Sequence, residues 1–308
     1  MKHWIQAARL RTLPLSVSGI LVGSFYAMSQ GLFNWKIILF ALTTTLGFQI
    51  LSNFANDYGD GIKGTDNEDR VGPKRAIQSG TISPGAMKMA IICTSLITLF
   101  SAIVLIYFSF KGRYFLYSLL FLLLALLAII SAIKYTVGKS AYGYHGLGDV
   151  FVFIFFGLIS TLGIYFMYAK TIDFLLFLPA FSIGFLSVAV LNLNNIRDEI
   201  SDKKSNKNTL VVKNGNAWAK KYHTILVVSA MVLLLVFAIL NNLQYDQYLF
   251  VIVFFPLIYH LRIVHKNTEP KLLDSQLKVV ALSTFFIAVL LSLQLIFLLS
   301  DVFLYYTN

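Results

Sequence analysis

Apolar runs of roughly 18 to 24 residues recur from one end of the chain to the other, each long enough to cross a bilayer as a helix. In hydrocarbon every backbone N–H and C=O must find its partner within the protein, which leaves helices or a closed barrel. Barrel strands alternate apolar and polar positions, and these runs do not. The pattern predicts an all-α polytopic membrane protein with spans near 12–30, 35–55, 86–109, 113–134, 147–168, 172–193, 219–240, 245–265 and 277–299. Only 13% of the residues are charged and 57% are hydrophobic, outside the soluble globular range. The basic segment ahead of the first span has no small-residue cleavage pattern after it, so it reads as a retained first helix.

Nine helices put the two ends on opposite sides, and the charges test that count. Of the 25 Lys and Arg residues, 21 fall in loops on the side of the amino terminus and 4 (Lys36, Lys111, Arg113 and Lys170) on the other. A miscounted helix would scramble this asymmetry, so the amino terminus is expected in the cytoplasm. The same rule accounts for the net charge of +11 without a nucleic-acid partner. Cys93, the single cysteine, cannot form an intramolecular disulfide and is expected to pack in the core.

Two inner loops, 57–85 and 194–217, are much longer than the rest, and each opens on an acidic stretch. The first runs Asn53-x2-Asn56-Asp57-x2-Asp60, continuing through Lys63 and Gly64 to Asp66. The second runs Asn194-Asn-Ile-Arg197-Asp198-x3-Asp202. On a continuing helix, Asn53, Asp57 and Asp60 share one face, as do Asn194, Asp198 and Asp202. Asp57 and Asp198 lie 141 positions apart (198 − 57), four helices on. This predicts a four-helix unit, repeated, plus a final helix, as one domain over residues 1–308 around a central cavity.

Carboxylates alone would suit a hard divalent cation. Here they are interleaved with Lys63, Arg70, Arg75, Arg197 and Lys207, a mixture that suits a metal-bridged diphosphate. At a bilayer surface the substrate would be a lipid diphosphate. The bland alternatives are solvated loop charges, above all Asp66, Glu68 and Asp69, and helix ends that favour Asn and Asp. The repetition of one spacing at corresponding places argues against them.

Both stretches resemble the Asp-rich motifs of the UbiA superfamily of intramembrane prenyltransferases. Asn56, Asp57 and Asp60 match the first motif, whose last Asp is here Gly64. That variant resembles the branch acting on 1,4-dihydroxy-2-naphthoate in menaquinone synthesis, as do Arg9-Leu-Arg11-Thr-Leu-Pro14, Tyr142-Gly-Tyr144-His145-Gly-Leu-Gly148-Asp149 and Lys207-Asn-Thr209. The resemblance implies a nine-helix, Mg²⁺-dependent enzyme of the bacterial inner membrane, with both acidic loops cytoplasmic. It would join a polyprenyl diphosphate to the naphthoate with loss of CO₂, giving demethylmenaquinone. It further implies that Asp60, Asp198 and Asp202 hold Mg²⁺, with Asp57 and Asp66 as additional ligands. Asn53, Asn56 and Asn194 would orient carboxylates or phosphate, and Lys63, Arg70, Arg75, Arg197 and Lys207 would meet the diphosphate. Tyr142, Tyr144, His145 and Asp149 would bind the acceptor, with Asp149 or a tyrosine removing a ring-hydroxyl proton.

Arg9 and Arg11 read either as acceptor-carboxylate ligands or as topology charges. His260, Arg262 and His265 read as interfacial groups rather than a metal set. Other acceptors, such as 4-hydroxybenzoate or a haem or chlorophyll precursor, remain open. So does a secondary transporter, although its site would belong at mid-membrane. A lipid phosphotransferase is disfavoured because its Asp-Gly-x2-Ala-Arg signature is absent.

Overall fold

The computed structural model describes residues 2–66, 68 and 70–307. Among them are nine helices long and apolar enough to span a membrane. They are α1 (Lys2–Ser29), α2 (Trp35–Lys63), α3 (Pro84–Phe110), α4 (Phe115–Lys134), α5 (Gly148–Ala169), α6 (Phe174–Arg197), α7 (Asn216–Leu240), α8 (Tyr245–Lys266) and α9 (Pro270–Ile296). No strand occurs among the described residues. Asp69, expected as a plain loop charge, lies outside them.

The packing follows the expected repeat. α2 packs along α3 and, four helices later, α6 along α7, while α1 and α5, at equivalent positions, cross each other in the middle. α9 closes against α1 and α6. Across their most apolar stretches, α1, α6 and α9 bury more than half of the residues, whereas α3 and α4 bury less than a quarter and turn their apolar faces to lipid.

Small residues set the central crossings. A Cβ added at Gly157 of α5 would stand 2.7 Å from Gly184 Cα and 2.6 Å from the Ala180 carbonyl oxygen of α6. A Cβ added at Gly23 of α1 would likewise collide with the Thr161 carbonyl of α5. Backbones in lipid associate by such close approach. From Phe153 to Gly163, α5 is wound as a wider π-helix, a form concentrated at functional sites.

Two side-chain expectations fail here. Cys93 is exposed, because α3 turns Met87, Ile91, Thr98 and Ala102 inward and residue 93 lies off that face. His260 does not snorkel. It is fully buried, its Nε2 2.7 Å from Nε2 of His223 on α7 and its Nδ1 2.8 Å from Gln276 Oε1 on α9. Each ring nitrogen of His260 thus has a partner, so burial leaves no unmet polar group on it.

Candidate active site at the basic end of the cavity

A cavity of about 290 Å³ lies among α1 to α5, lined mostly by apolar side chains. Phe121 and Met167 lie toward one end; Asn53, Asn56, Tyr135 and Tyr142 line the end nearest the acidic stretches. Tyr142 donates to the Ser131 carbonyl at 3.0 Å and stacks on Phe151, ring centroids 4.0 Å apart.

α2 runs eight residues beyond its expected end, so the first acidic stretch lies within its last three turns. Gly64 ends it with φ +71°, a left-handed conformation that favours glycine. The amides of Gly64 and Thr65 then bond to the carbonyls of Gly61 and Asp60, and the returning chain brings Asp66 back beside Asp60. The departure from the family motif at position 64 is therefore a helix cap. In the second stretch α6 ends at Arg197 and a short helix, Glu199–Lys204, follows. The 198-to-194 and 202-to-198 backbone bonds (3.0 and 2.9 Å) persist through the break, keeping Asn194, Asp198 and Asp202 in register.

Four carboxylates and four cations meet here. Asp60 Oδ2 accepts from Arg75 Nη1 at 3.0 Å, and Asp66 Oδ1 from Arg70 Nη1 at 2.9 Å. Arg70 also reaches Asp198 at 3.8 Å, and Arg197 grips Asp198 through Nε (2.9 Å) and Nη2 (2.6 Å). Lys207 spans the two stretches, 3.5 Å from Asp202 and 4.0 Å from Asp60. Asn206 just before it takes a left-handed turn (φ +53°), and the Lys207 amide bonds to the Asp202 carbonyl, which aims the side chain inward. Tyr144 donates to Asp60 at 2.8 Å, lies 2.5 Å from Thr65 Oγ1, and carries Lys63 over its ring at 3.9 Å.

Burial acts on every one of these groups. It pushes the Asp202 carboxyl up to about 6 against the pull of Lys207, and it raises Asp66 despite Arg75 and Arg70. At Asp198 burial is outweighed by the hydrogen bonds and charge of Arg197, and the carboxyl is held below its usual range. At Lys207 burial is outweighed by Asp60 and Asp202, which raise the ammonium and keep it charged. Burial carries Tyr135 up to about 12, and its hydroxyl stays protonated.

Several expected site residues stand elsewhere. Asp57 faces the 75–80 turn, its two oxygens accepting from the amides of Ala76 (3.1 Å) and Ile77 (3.2 Å), so its role here is to hold that turn. Asn53 donates to the Ala8 carbonyl and Thr12, tying α2 to α1. Asn56 accepts from Thr136 through its side chain and from Arg75 through its backbone. The His145 side chain is exposed, and only its carbonyl is engaged, by Lys213. Asp149 lies outside the cavity lining: it follows the Gly148 that opens α5 and turns toward α7, where Tyr222 donates to it at 3.3 Å.

The carboxylates also do not gather as one ligand cage. Among the described residues no three acidic, His or Cys side chains converge on a point, because buried like charges separate and take the nearest cations. The donors nevertheless fit Mg²⁺. All are hard carboxylate oxygens, and among the described residues Oδ2 of Asp202 is buried without a hydrogen-bond partner.

One residue at the site was missed. Asp274, at the start of α9, accepts from Arg197 at 2.6 Å and from Arg11 at 3.1 Å, linking α9, α6 and α1. In sequence it is an ordinary loop acid, and nothing in its surroundings signals a partner 77 positions away.

The profile of the UbiA prenyltransferase family matches residues 16–290. The chain belongs to the UbiA prenyltransferase family. This UbiA protein is 40% identical over 299 residues to the 1,4-dihydroxy-2-naphthoate octaprenyltransferase of Haemophilus influenzae, covering 96% of each chain. To the protein of the same name from Escherichia coli K12 it is 41% identical over 273 residues, 87% of this chain and 86% of that one. A solved UbiA homologue from Archaeoglobus fulgidus, bound to DMAPP and Mg²⁺, shares the fold: TM-score 0.63 at 16% identity, over 94% of this chain and 99% of that one.

Proposed function

We propose that this UbiA protein transfers a polyprenyl group from polyprenyl diphosphate to 1,4-dihydroxy-2-naphthoate with loss of CO₂, yielding the reduced (quinol) form of demethylmenaquinone. It would act in a bacterial cell membrane with the amino terminus and both acidic stretches on the cytoplasmic side. The observation that supports this most is the meeting, at Asn56 and Arg75, of a buried carboxylate–guanidinium set with an apolar cavity. The relatives named for that acceptor, 40% and 41% identical, favour the naphthoate.

In this reading Asp60, Asp198 and Asp202, with Asp66 beside them, hold Mg²⁺, which neutralises the diphosphate as it departs. Arg70, Arg75 and Lys207 meet the remaining phosphate charge, and Arg197 orients Asp198. Tyr144 holds Asp60 by its hydroxyl and, with Lys63 stacked on it, walls the site from water. The allylic C–O bond breaks with its electron pair going to the diphosphate. The ring carbon bearing the carboxylate attacks the cationic chain end in the cavity while the neighbouring hydroxyl loses its proton. CO₂ then leaves, its bonding electrons restore the aromatic ring, and the oxygen regains a proton. Tyr135 and Tyr142 lie at the cavity surface, where they can orient the ring hydroxyls.

The test incubates membranes holding the protein with labelled polyprenyl diphosphate and either dihydroxynaphthoate or 4-hydroxybenzoate, with Mg²⁺ or a chelator. Product is expected only with the naphthoate and Mg²⁺, and is abolished by Asp198→Ala. Product that survives chelation sinks the metal–diphosphate mechanism, and product from the benzoate alone reassigns the acceptor.

A further inference from the structure

The ion pairs among the described residues balance in charge, and the buried Arg9 beside Asp57 adds one charge of each sign. Asp60, Asp66, Asp198 and Asp202 carry four negative charges, and Arg70, Arg75, Arg197 and Lys207 four positive (4 − 4 = 0). Following the pairs outward adds Asp274 and Arg11, again one of each sign. The balance is internal, because most of these groups are sealed from solvent. The side chains of the four acids are 3–7% exposed and those of the four bases 0–10%.

The positions matter as much as the sum. Lys207 lies between Asp60 of the first stretch and Asp202 of the second, and Arg70 between Asp66 and Asp198. The chain's own cations therefore stand between the very carboxylates that would share a metal. A lone Mg²⁺ entering this set would leave two uncompensated positive charges in a poorly solvated place, or would have to turn Lys207 out of its pairs. A lone diphosphate would leave its own negative charges uncompensated and face four carboxylates. Uncompensated buried charge is strongly disfavoured. Entering together, the two nearly cancel. The diphosphate takes over Lys207 and the arginines, and the metal takes over the carboxylates they release.

We propose that the resident cations make this site take Mg²⁺ and diphosphate as one neutralised unit, each binding poorly alone, with Lys207 the ion that exchanges its carboxylates for phosphate. The inference rests on the diphosphate reading above and adds to it how the occupant is admitted. Such coupling is reciprocal: whatever factor the diphosphate adds to metal affinity, the metal adds to diphosphate affinity.

The test uses the full-length protein in nanodiscs, with MgCl₂ and inorganic pyrophosphate as probes, followed by calorimetric titration and thermal unfolding at matched free concentrations. Each probe is expected to bind the wild type at least tenfold tighter when the other is present. Lys207→Gln leaves the set at net −1, so Mg²⁺ alone should bind it at least tenfold tighter than it binds the wild type, while pyrophosphate binding weakens. Lys207→Arg keeps the charge and should keep the wild-type pattern. Wild-type protein that binds Mg²⁺ equally well with and without pyrophosphate overturns the proposal, and that arm needs no variant to fold. Independent tight binding of each probe, with normal Mg²⁺-dependent product in the prenyl-transfer assay, would refute the coupling while leaving the diphosphate reading intact. Absence of binding by the pair together would refute both.

Discussion

Replacing Asp274 by Asn removes one charge and little volume from a junction of three helices. The guanidinium it serves, Arg197, has a side chain 0% exposed, whereas the Asp274 side chain is 34% exposed. Breaking a wholly buried pair costs about 3–5 kcal/mol, because the surviving charge has no partner. Arg197 keeps Asp198 and Asn194, so what it loses is closer to one charge-assisted hydrogen bond, about 1.5–3 kcal/mol. The second pair, Arg11 with Asp274, is 40% and 34% exposed, and water screens it to about 0–1 kcal/mol. Asp274→Asn should therefore cost about 2 kcal/mol and Arg11→Gln about 0.5 kcal/mol or less. At about 2–4 °C per kcal/mol for a chain of this size, the first lowers the unfolding midpoint by about 4–8 °C and the second by less than about 2 °C. The measurement is thermal unfolding in one detergent at one scan rate, with intrinsic fluorescence as the probe. An Asp274→Asn protein within about 1 °C of wild type, or equal effects from the two variants, would show that Arg197 does not depend on α9.

Three further outcomes follow from the same geometry. Because Asp202 must be ionised to hold a metal and its carboxyl lies at about 6, the KM for Mg²⁺ should fall as pH rises from 5 to 7 and level off above that; a flat profile contradicts the assignment. In metal-free protein the sign is opposite: the folded carboxyl sits above its unfolded value, so its contribution to stability is present at low pH and fades as pH rises through about 6. Gly157→Ala should lower thermal stability by about 1–3 kcal/mol, because its Cβ meets only backbone of α6. Gly163→Ala, with nothing nearer than 3.6 Å, should not, and similar losses from both would refute the close-packing argument. Tyr144→Phe removes the hydrogen bond to Asp60, worth about 1.5–3 kcal/mol for a charged acceptor, and should reduce kcat/KM by roughly tenfold or more with expression unchanged.

The topology was legible because hydrocarbon is an uncompromising solvent. It demands about 20 apolar residues per crossing, so each span stands out as one apolar run. The acidic stretches were legible for the opposite reason, as charges that such a solvent would exclude unless they served a purpose. Where each carboxylate points was not legible. Asp57 and Asp60 are three residues apart on one helix, yet one holds the 75–80 turn and the other meets Arg75 and Tyr144. Gly64 looked like a lost metal ligand and is a helix cap.

By itself, then, the sequence determined the nine apolar spans found among the described residues, their repeat, and the two acidic stretches at the ends of α2 and α6, since each follows from local hydropathy, charge and spacing. Tertiary structure alone decided which charges neutralise which. Pairings such as Arg197 with Asp274 and Lys207 with Asp60 join residues far apart in the chain, and their strength depends on burial that no local pattern encodes.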